Sequence, residues 1–204
     1  MLARMAALEA AVQIVRMAGI PVVVAVNRFA YDTDAEVGFV LHRARQMDVI
    51  GAAVSEMHAH GGEGGSELAD LVVLAAEQPS EMKFFYSDDM PIKEKIETLA
   101  RRVYRAESVE FAPEALKKIK LYSDLGYGHL PVCMAKTHLS LSHDPKLLGA
   151  PHGYTFPVRD VRLSAGAGFL YPLAGEMQTM PGLGSEPAAT KVDFDADGNI
   201  VGLF

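Results

Sequence analysis

The sequence predicts an α/β protein, a parallel sheet with flanking helices followed by a smaller α+β region. Three observations predict it. Short β-branched apolar runs alternate with amphipathic helical stretches through the first 80 residues, the pattern of parallel strand–helix–strand units. Polar or glycine-rich segments follow each of those runs, where ligands of such sheets collect. Beyond residue 80 the alternation gives way to two helices that start at prolines, then short strands and turns. The expected division is therefore 1–80 and 81–204.

Leu2, Met5, Leu8, Val12 and Val15 recur at helical spacing, and Gly19 stands where a helix stops, so a helix is predicted over 3–18. Residues 22–26 are β-branched and apolar between Pro21 and Asn27, the form of a strand buried on both faces. Thr33 and Glu36 have capping-box spacing, and Val37, Val40, Leu41, Ala44 and Met47 continue as one apolar helix face. A second strand is predicted over 49–54. After the glycines, Ser66 can cap a helix carrying Leu68, Leu71, Val72 and Ala75 on one side. A soft boundary falls at 78–89. Pro91 opens a helix with Ile92, Ile96, Leu99 and Val103 as its stripe, and Pro113 repeats the device up to Gly126. A strand over 130–134 precedes a long polar loop at 136–150, then strand-like runs at 156–158, 161–163 and 169–173. The last stretch, 191–204, reads as a hairpin turning at Asp197-Gly198.

Composition narrows the function. Half of the 204 residues are hydrophobic and 22% are charged, which describes a folded chain without bias toward disorder. A formal charge of −7 with no basic cluster argues against nucleic-acid and membrane-surface partners, which need positive charge. Cys133 is the only cysteine, so no internal disulfide can form and a cytoplasmic setting is expected. The longest apolar run, 20–26, is far too short to span a bilayer, and 1–18 lacks a signal-peptide pattern.

The strongest chemical feature is Gly61-Gly62-Glu63-Gly64-Gly65 between a predicted strand and helix. Glycines allow a sharp turn and close backbone approach, and the following helix start favours an anion such as a carboxylate, phosphate or formate. The same loop also reads as a tight connection without a ligand. No G-x-x-x-x-G-K-[ST] occurs, and Ala135-Lys136-Thr137 resembles only its final letters. Gly166-Ala167-Gly168 has Tyr171 where a dinucleotide fingerprint needs a third glycine, so a strand bend is expected there. Asp193-x-Asp195-x-Asp197-Gly198 starts like a calcium loop, yet Phe204 stands where its bidentate Glu belongs. His58 and His60 beside Glu56 lack further ligands, and no bound metal is expected. Cys133, among apolar neighbours, reads as a buried structural thiol. His138, Ser140, Ser142, His143 and Asp144 hold the residue types of a hydrolase triad without a nucleophile elbow. Lys93, Glu94, Lys95, Glu97, Arg101, Arg102 and Arg105 read as a solvated helix face.

Several ordered segments together carry a resemblance. They are Pro21-Val22-Val23-Val24-Ala25-Val26-Asn27-Arg28-Phe29 with Asp32-Thr33-Asp34-Ala35-Glu36, Ser55-Glu56-Met57-His58-Ala59-His60 leading into the glycines, 125–137, Arg159 to Phe169, and Thr179-Met180-Pro181-Gly182. The chain resembles the C-terminal part of formate–tetrahydrofolate ligases. The resemblance implies that 1–80 is the end of a P-loop-type, NTPase-like domain carrying folate-side loops, and that 81–204 is a C-terminal α+β region. It implies ATP-dependent formation of 10-formyltetrahydrofolate from formate and tetrahydrofolate through formyl phosphate, by homotetramers activated by a monovalent cation such as potassium. It further implies that Phe29 belongs to an aromatic pair holding a flat ring, whose second member, a Trp in the family, is His58 here. Substrate-binding residues expected on this basis are Asn27, Phe29, Asp32, Thr33, Glu56, His58, Gly61, Gly62, Glu63, Gly64 and Gly65.

The family's phosphate loop lies upstream of anything in this sequence, so the chain alone is expected to be inactive. Its expected partners are tetrahydrofolate, the N-terminal ligase portion and further copies of itself, because a chain starting inside a helix leaves an apolar face uncovered. The alternative reading is a non-catalytic folate-binding or oligomerisation module. A free-standing nucleotide enzyme is disfavoured by the missing phosphate loop.

Overall fold

Thr33 opens its helix as the capping spacing requires. In the computed structural model, which describes residues 2–175 and 190–202, the Glu36 amide donates to the Thr33 hydroxyl at 3.3 Å and the Thr33 amide donates to the Glu36 carboxylate at 3.2 Å. These two bonds satisfy donors that a helix start otherwise leaves unpaired. The Thr33 hydroxyl and amide hold the Glu36 carboxyl below the ordinary carboxylate range. A depressed acid stabilises the fold above its unfolded pKa, and that contribution disappears as pH falls through the lowered value. Thr33→Ala is expected to cost about 1 kcal/mol in urea unfolding at neutral pH, with a smaller deficit once Glu36 is protonated.

The first part of the chain runs α1 (Leu2–Met17), β1 (Val23–Asn27), α2 (Asp34–Arg45) and β2 (Gly51–Ser55), with β1 and β2 parallel. After β2 come a single helical turn, α3 (Met57–His60), a 3-10 turn (Glu63–Gly65) and α4 (Ser66–Ala76). Ser66 is the first residue of α4 rather than its cap, and its hydroxyl donates to the Glu63 carbonyl. Val12, Val22, Val24, Ala44 and Ala52 form one buried cluster, joining α1, the strand pair and α2. Leu71 of α4 covers Gly51 so closely that a Cβ there would sit 2.7 Å from its Cδ2.

The expectation that residues 22–26 are buried on both faces is corrected. Val22 and Val24 are buried, but Ala25 is exposed, because the described sheet has only two strands and α4 leaves that part of its second face open. Val72 does not share the inner face of α4 either. Val72, Val73 and Leu74 are exposed while Leu68, Leu71 and Ala75 are partly covered.

The second part contains α5 (Ile92–Arg102), β3 (Ser108–Phe111), α6 (Pro113–Asp124), β4 (Thr155–Ser164) and β5 (Phe169–Ala174). The small sheet has the order β3-β4-β5, its first pair parallel and its second antiparallel. The runs at 156–158 and 161–163 are one strand, interrupted by a register irregularity between Val158 and Asp160. Gly166 to Gly168 form the turn into β5, with the Gly168 amide donating to the Ser164 carbonyl at a φ of 74°. Residues 130–135 run alongside β5 through two isolated bridges, Val132 with Leu170 and Ala135 with Leu173, rather than as a full strand. The Cys133 amide donates to the Leu170 carbonyl at 2.8 Å within that pairing, yet the residue is exposed, which corrects its reading as a buried thiol. Pro113 is at the first helical position of α6, whereas Pro91 only precedes α5 as its cap. β3 was not legible in the sequence. The terminal hairpin exists as β6 (Asp193–Phe194) and β7 (Ile200–Val201), turning at Asp197-Gly198. Phe204 and Thr179-Met180-Pro181-Gly182 lie outside the described residues.

Lys95 is the clearest departure from the sequence reading. It belongs to the core, with none of its surface exposed, rather than to a solvated face. Its ammonium donates to the carbonyls of Gly128 at 2.9 Å and Leu130 at 3.0 Å and lies 5.7 Å from the Tyr86 ring centre. Burial lowers its pKa, opposed by Asp88 and Asp89. Carbonyl partners at the end of a flexible stem make this burial tolerable. Lys95→Met leaves both carbonyls unpaired and is expected to cost about 2–3 kcal/mol in denaturant unfolding.

Candidate functional site

Parallel pairing places the ends of β1 and β2 together. Asn27 stands opposite Ser55, and the Arg28 amide extends the ladder by donating to the Ser55 carbonyl at 3.0 Å. The loops after both strands therefore leave from the same edge, the carboxyl end where α/β sheets present ligand sites.

The first loop is closed by a reciprocal pair of bonds. The Phe29 amide donates to the Asp32 carboxylate at 2.8 Å and the Asp32 amide donates to the Phe29 carbonyl at 3.0 Å. An Asp is suited to this because its short carboxylate reaches a nearby backbone donor and fixes a turn. The turn leaves Phe29 60% exposed and Tyr31 97% exposed. Thr33, committed to the cap of α2, then ends the loop.

The second loop is pinned to its strand where the Glu56 amide donates to the Gly64 carbonyl at 2.9 Å. Its glycines do different jobs. Gly61 has φ 59° and ψ −143°, a conformation that side chains disfavour. A Cβ on Gly64 would sit 2.6 Å from the Glu56 carbonyl oxygen, and one on Gly65 would sit 2.8 Å from Met57 Cγ and Sδ. Gly62 has open space beside it. The close approaches at Gly64 and Gly65 are thus internal to the loop. Gly61, Gly62, Glu63 and His58 are exposed, and Glu56 is partly buried.

Arg28 ties the loops together. Its guanidinium is 2.5 Å from the Asp34 carboxylate in the first turn of α2 and 3.9 Å from the Glu56 carboxylate on the other loop. Neither Arg28 nor Asp34 was singled out as a site residue. Nothing in the local sequence marks them, since the Glu56 partner is 28 positions away and met only through the strand register. Phe29 and His58 stand on neighbouring loops, yet among the described residues no ring contact joins them; the aromatic pairs formed lie among Tyr104, His143, Tyr154, Phe156, Phe169 and Tyr171.

The other sequence candidates fall outside this site. Ser140 and Ser142 are buried and bonded to each other at 2.9 Å and to the Leu147 and Asp144 carbonyls, so neither hydroxyl faces a histidine base. Asp195 accepts from the amides of Asp197 and Asn199, which folds the terminal turn. Among the described residues no group of three or more His, Cys, Asp or Glu is arranged to hold a metal ion, and no described helix is long and apolar enough to cross a membrane. The residues present also supply no lysine-bearing phosphate loop for ATP.

Two linked loops thus leave the carboxyl edge of a parallel strand pair in an α/β protein, one with an exposed phenylalanine and the other with a glycine turn. The profile of the formate–tetrahydrofolate ligase family matches residues 2–204, and the chain belongs to that family. It is 58% identical over 186 residues to a formate–tetrahydrofolate ligase of Desulforamulus reducens, covering 91% of this chain and 33% of the relative. Ligases of Roseiflexus castenholzii and Chloroflexus aggregans are each 53% identical, over 196 and 188 residues, with 96% and 91% of this chain and 35% and 33% of the relative covered. The chain spans about a third of the length of these curated relatives.

Proposed function

We propose that this chain supplies the folate side of a formate–tetrahydrofolate ligase site in one-carbon metabolism. The observation that carries the reading is the Phe29 ring, held open on a turn that Arg28 ties to the Glu56 loop. Tetrahydrofolate lays its flat ring on Phe29, with His58 flanking it over less area than an indole would give. Asn27, Asp32, Thr33, Glu56 and the Gly61–Gly65 loop shape the rim, several of them by holding the loops rather than by touching the ligand.

On this reading 1–80 is the end of a P-loop-type sheet and 81–204 a C-terminal region. The remaining ligase portion brings ATP, its phosphate loop and the monovalent cation. The exposed Ala25 and the exposed Val72, Val73 and Leu74 of α4 support a covering partner, either that portion or another copy of the chain.

A coupled assay tests the division of labour. The isolated 204 residues give saturable tetrahydrofolate binding but no turnover dependent on ATP, formate and folate. Turnover by this chain would overturn it. Light scattering is expected to show self-association, and a strictly monomeric species at working concentration would remove that part of the reading.

A further inference from the structure

A second concavity shares no residue with the strand-end loops. It is a cleft of about 740 Å³ between α1 and the 136–149 loop, within the range of small-molecule sites. Ala7, Ala11 and Ile14 of α1 form one wall and Leu139 and Leu148 part of the other. Tyr104, Lys136 and His138 supply its aromatic and polar surface.

Lys136 is the unusual member. It is partly buried, and its ammonium donates to the carbonyls of Thr137, at 2.9 Å, and Ser140, and lies 5.3 Å from the Tyr104 ring centre. Every one of these partners is neutral. Among the described residues no carboxylate pairs with Lys136 and none lines the cleft. Burial lowers the pKa of this ammonium, the direction expected of a desolvated cation without a counter-charge. Lys95 has a similar arrangement of two carbonyls and a ring, but it is sealed in the core. The difference is access: the two carbonyls use two of the three N–H bonds of Lys136, which is only partly buried and lines the cleft.

We infer that this cleft binds a small organic monoanion, a carboxylate carried on an apolar or aromatic body. The carboxylate pairs with Lys136, where partial desolvation strengthens the attraction. The body lies along Ile14, Leu139 and Leu148, with an aromatic ring offered by Tyr104. A single unpaired cation among apolar side chains matches one negative charge better than a polyphosphate. The inference does not depend on the folate reading.

Calorimetric titration with 4-phenylbutyrate and its neutral counterpart 4-phenylbutanamide tests it. The acid is expected to bind the wild-type chain with one-to-one saturation and the amide at least tenfold more weakly. Lys136→Met should abolish the preference for the acid, and Lys136→Arg should keep most of it. Ala11→Phe, at an exposed position of α1 that lines the cleft, leaves Lys136 itself unaltered and should block binding by adding bulk to that wall. Equal affinity for acid and amide, no saturable binding of the acid, or acid binding unchanged by Lys136→Met or Ala11→Phe would overturn the inference. Should Lys136→Met fail to fold, the acid–amide comparison and Ala11→Phe still decide it.

Discussion

Phe156→Ala lowers the unfolding free energy by about 3–5 kcal/mol, the range for deleting a buried aromatic side chain. Phe156 is fully buried on β4, opposite Val109 of β3. Its ring stacks on Tyr104 at 5.7 Å between centres and meets His143 edge-on at 6.3 Å. Truncation removes apolar burial and three ring contacts together, the third with Tyr154 at 6.5 Å between centres, and the cavity left borders His143, whose buried Nδ1 has no hydrogen-bond partner among the described residues. β3, β4 and β5 cannot easily collapse into that space, because Val158, Val161 and Leu170 already fill their places in the same cluster. Equilibrium urea unfolding measures the loss. Phe156→Leu, which keeps much of the volume, should cost less than half as much. A loss below about 1 kcal/mol for Phe156→Ala would mean that this ring does not anchor the second core.

Phe29→Ala has the opposite profile. The ring is largely exposed, so its removal should change stability by no more than about 0.5 kcal/mol. Tetrahydrofolate binding should nevertheless weaken about tenfold or more, since losing a stacked aromatic face costs roughly 1–2 kcal/mol. His58→Trp tests the partner position from the other direction. An indole covers more of a flat ring than an imidazole, so affinity should rise several-fold. A Phe29→Ala protein that binds folate as tightly as the parent would remove the aromatic contact from the account.

The contrast between these residues shows what the sequence could carry. Elements set by local chemistry were legible: Thr33 and Glu36 formed their capping box, Pro113 opened α6, and Asp197-Gly198 turned the last hairpin. The placing of the candidate loops at one sheet edge was legible too, because the alternation of helix and strand implies parallel pairing. What failed depended on neighbours distant in sequence. Lys95 reads as a surface charge until Gly128 and Leu130, more than 30 positions away, offer it carbonyls. Cys133 reads as buried until the bridges of Val132 and Ala135 to β5 decide which side faces inward. Arg28 carried no signal of its own, because its link to Glu56 exists only after β1 and β2 pair in register. The glycine run was legible as a turn, but the structure uses Gly64 and Gly65 for packing against Glu56 and Met57, leaving Gly61 and Gly62 facing open space.

Backbone-amide NMR of the 15N-labelled chain during a tetrahydrofolate titration tests the central claim most directly. The account predicts saturable shifts concentrated at Phe29, Ala30, Tyr31, Glu56, His58 and Gly61 to Gly65, with residues 92–102 little changed. Shifts centred elsewhere in the fold, or none at saturating folate in a folded sample, would contradict it.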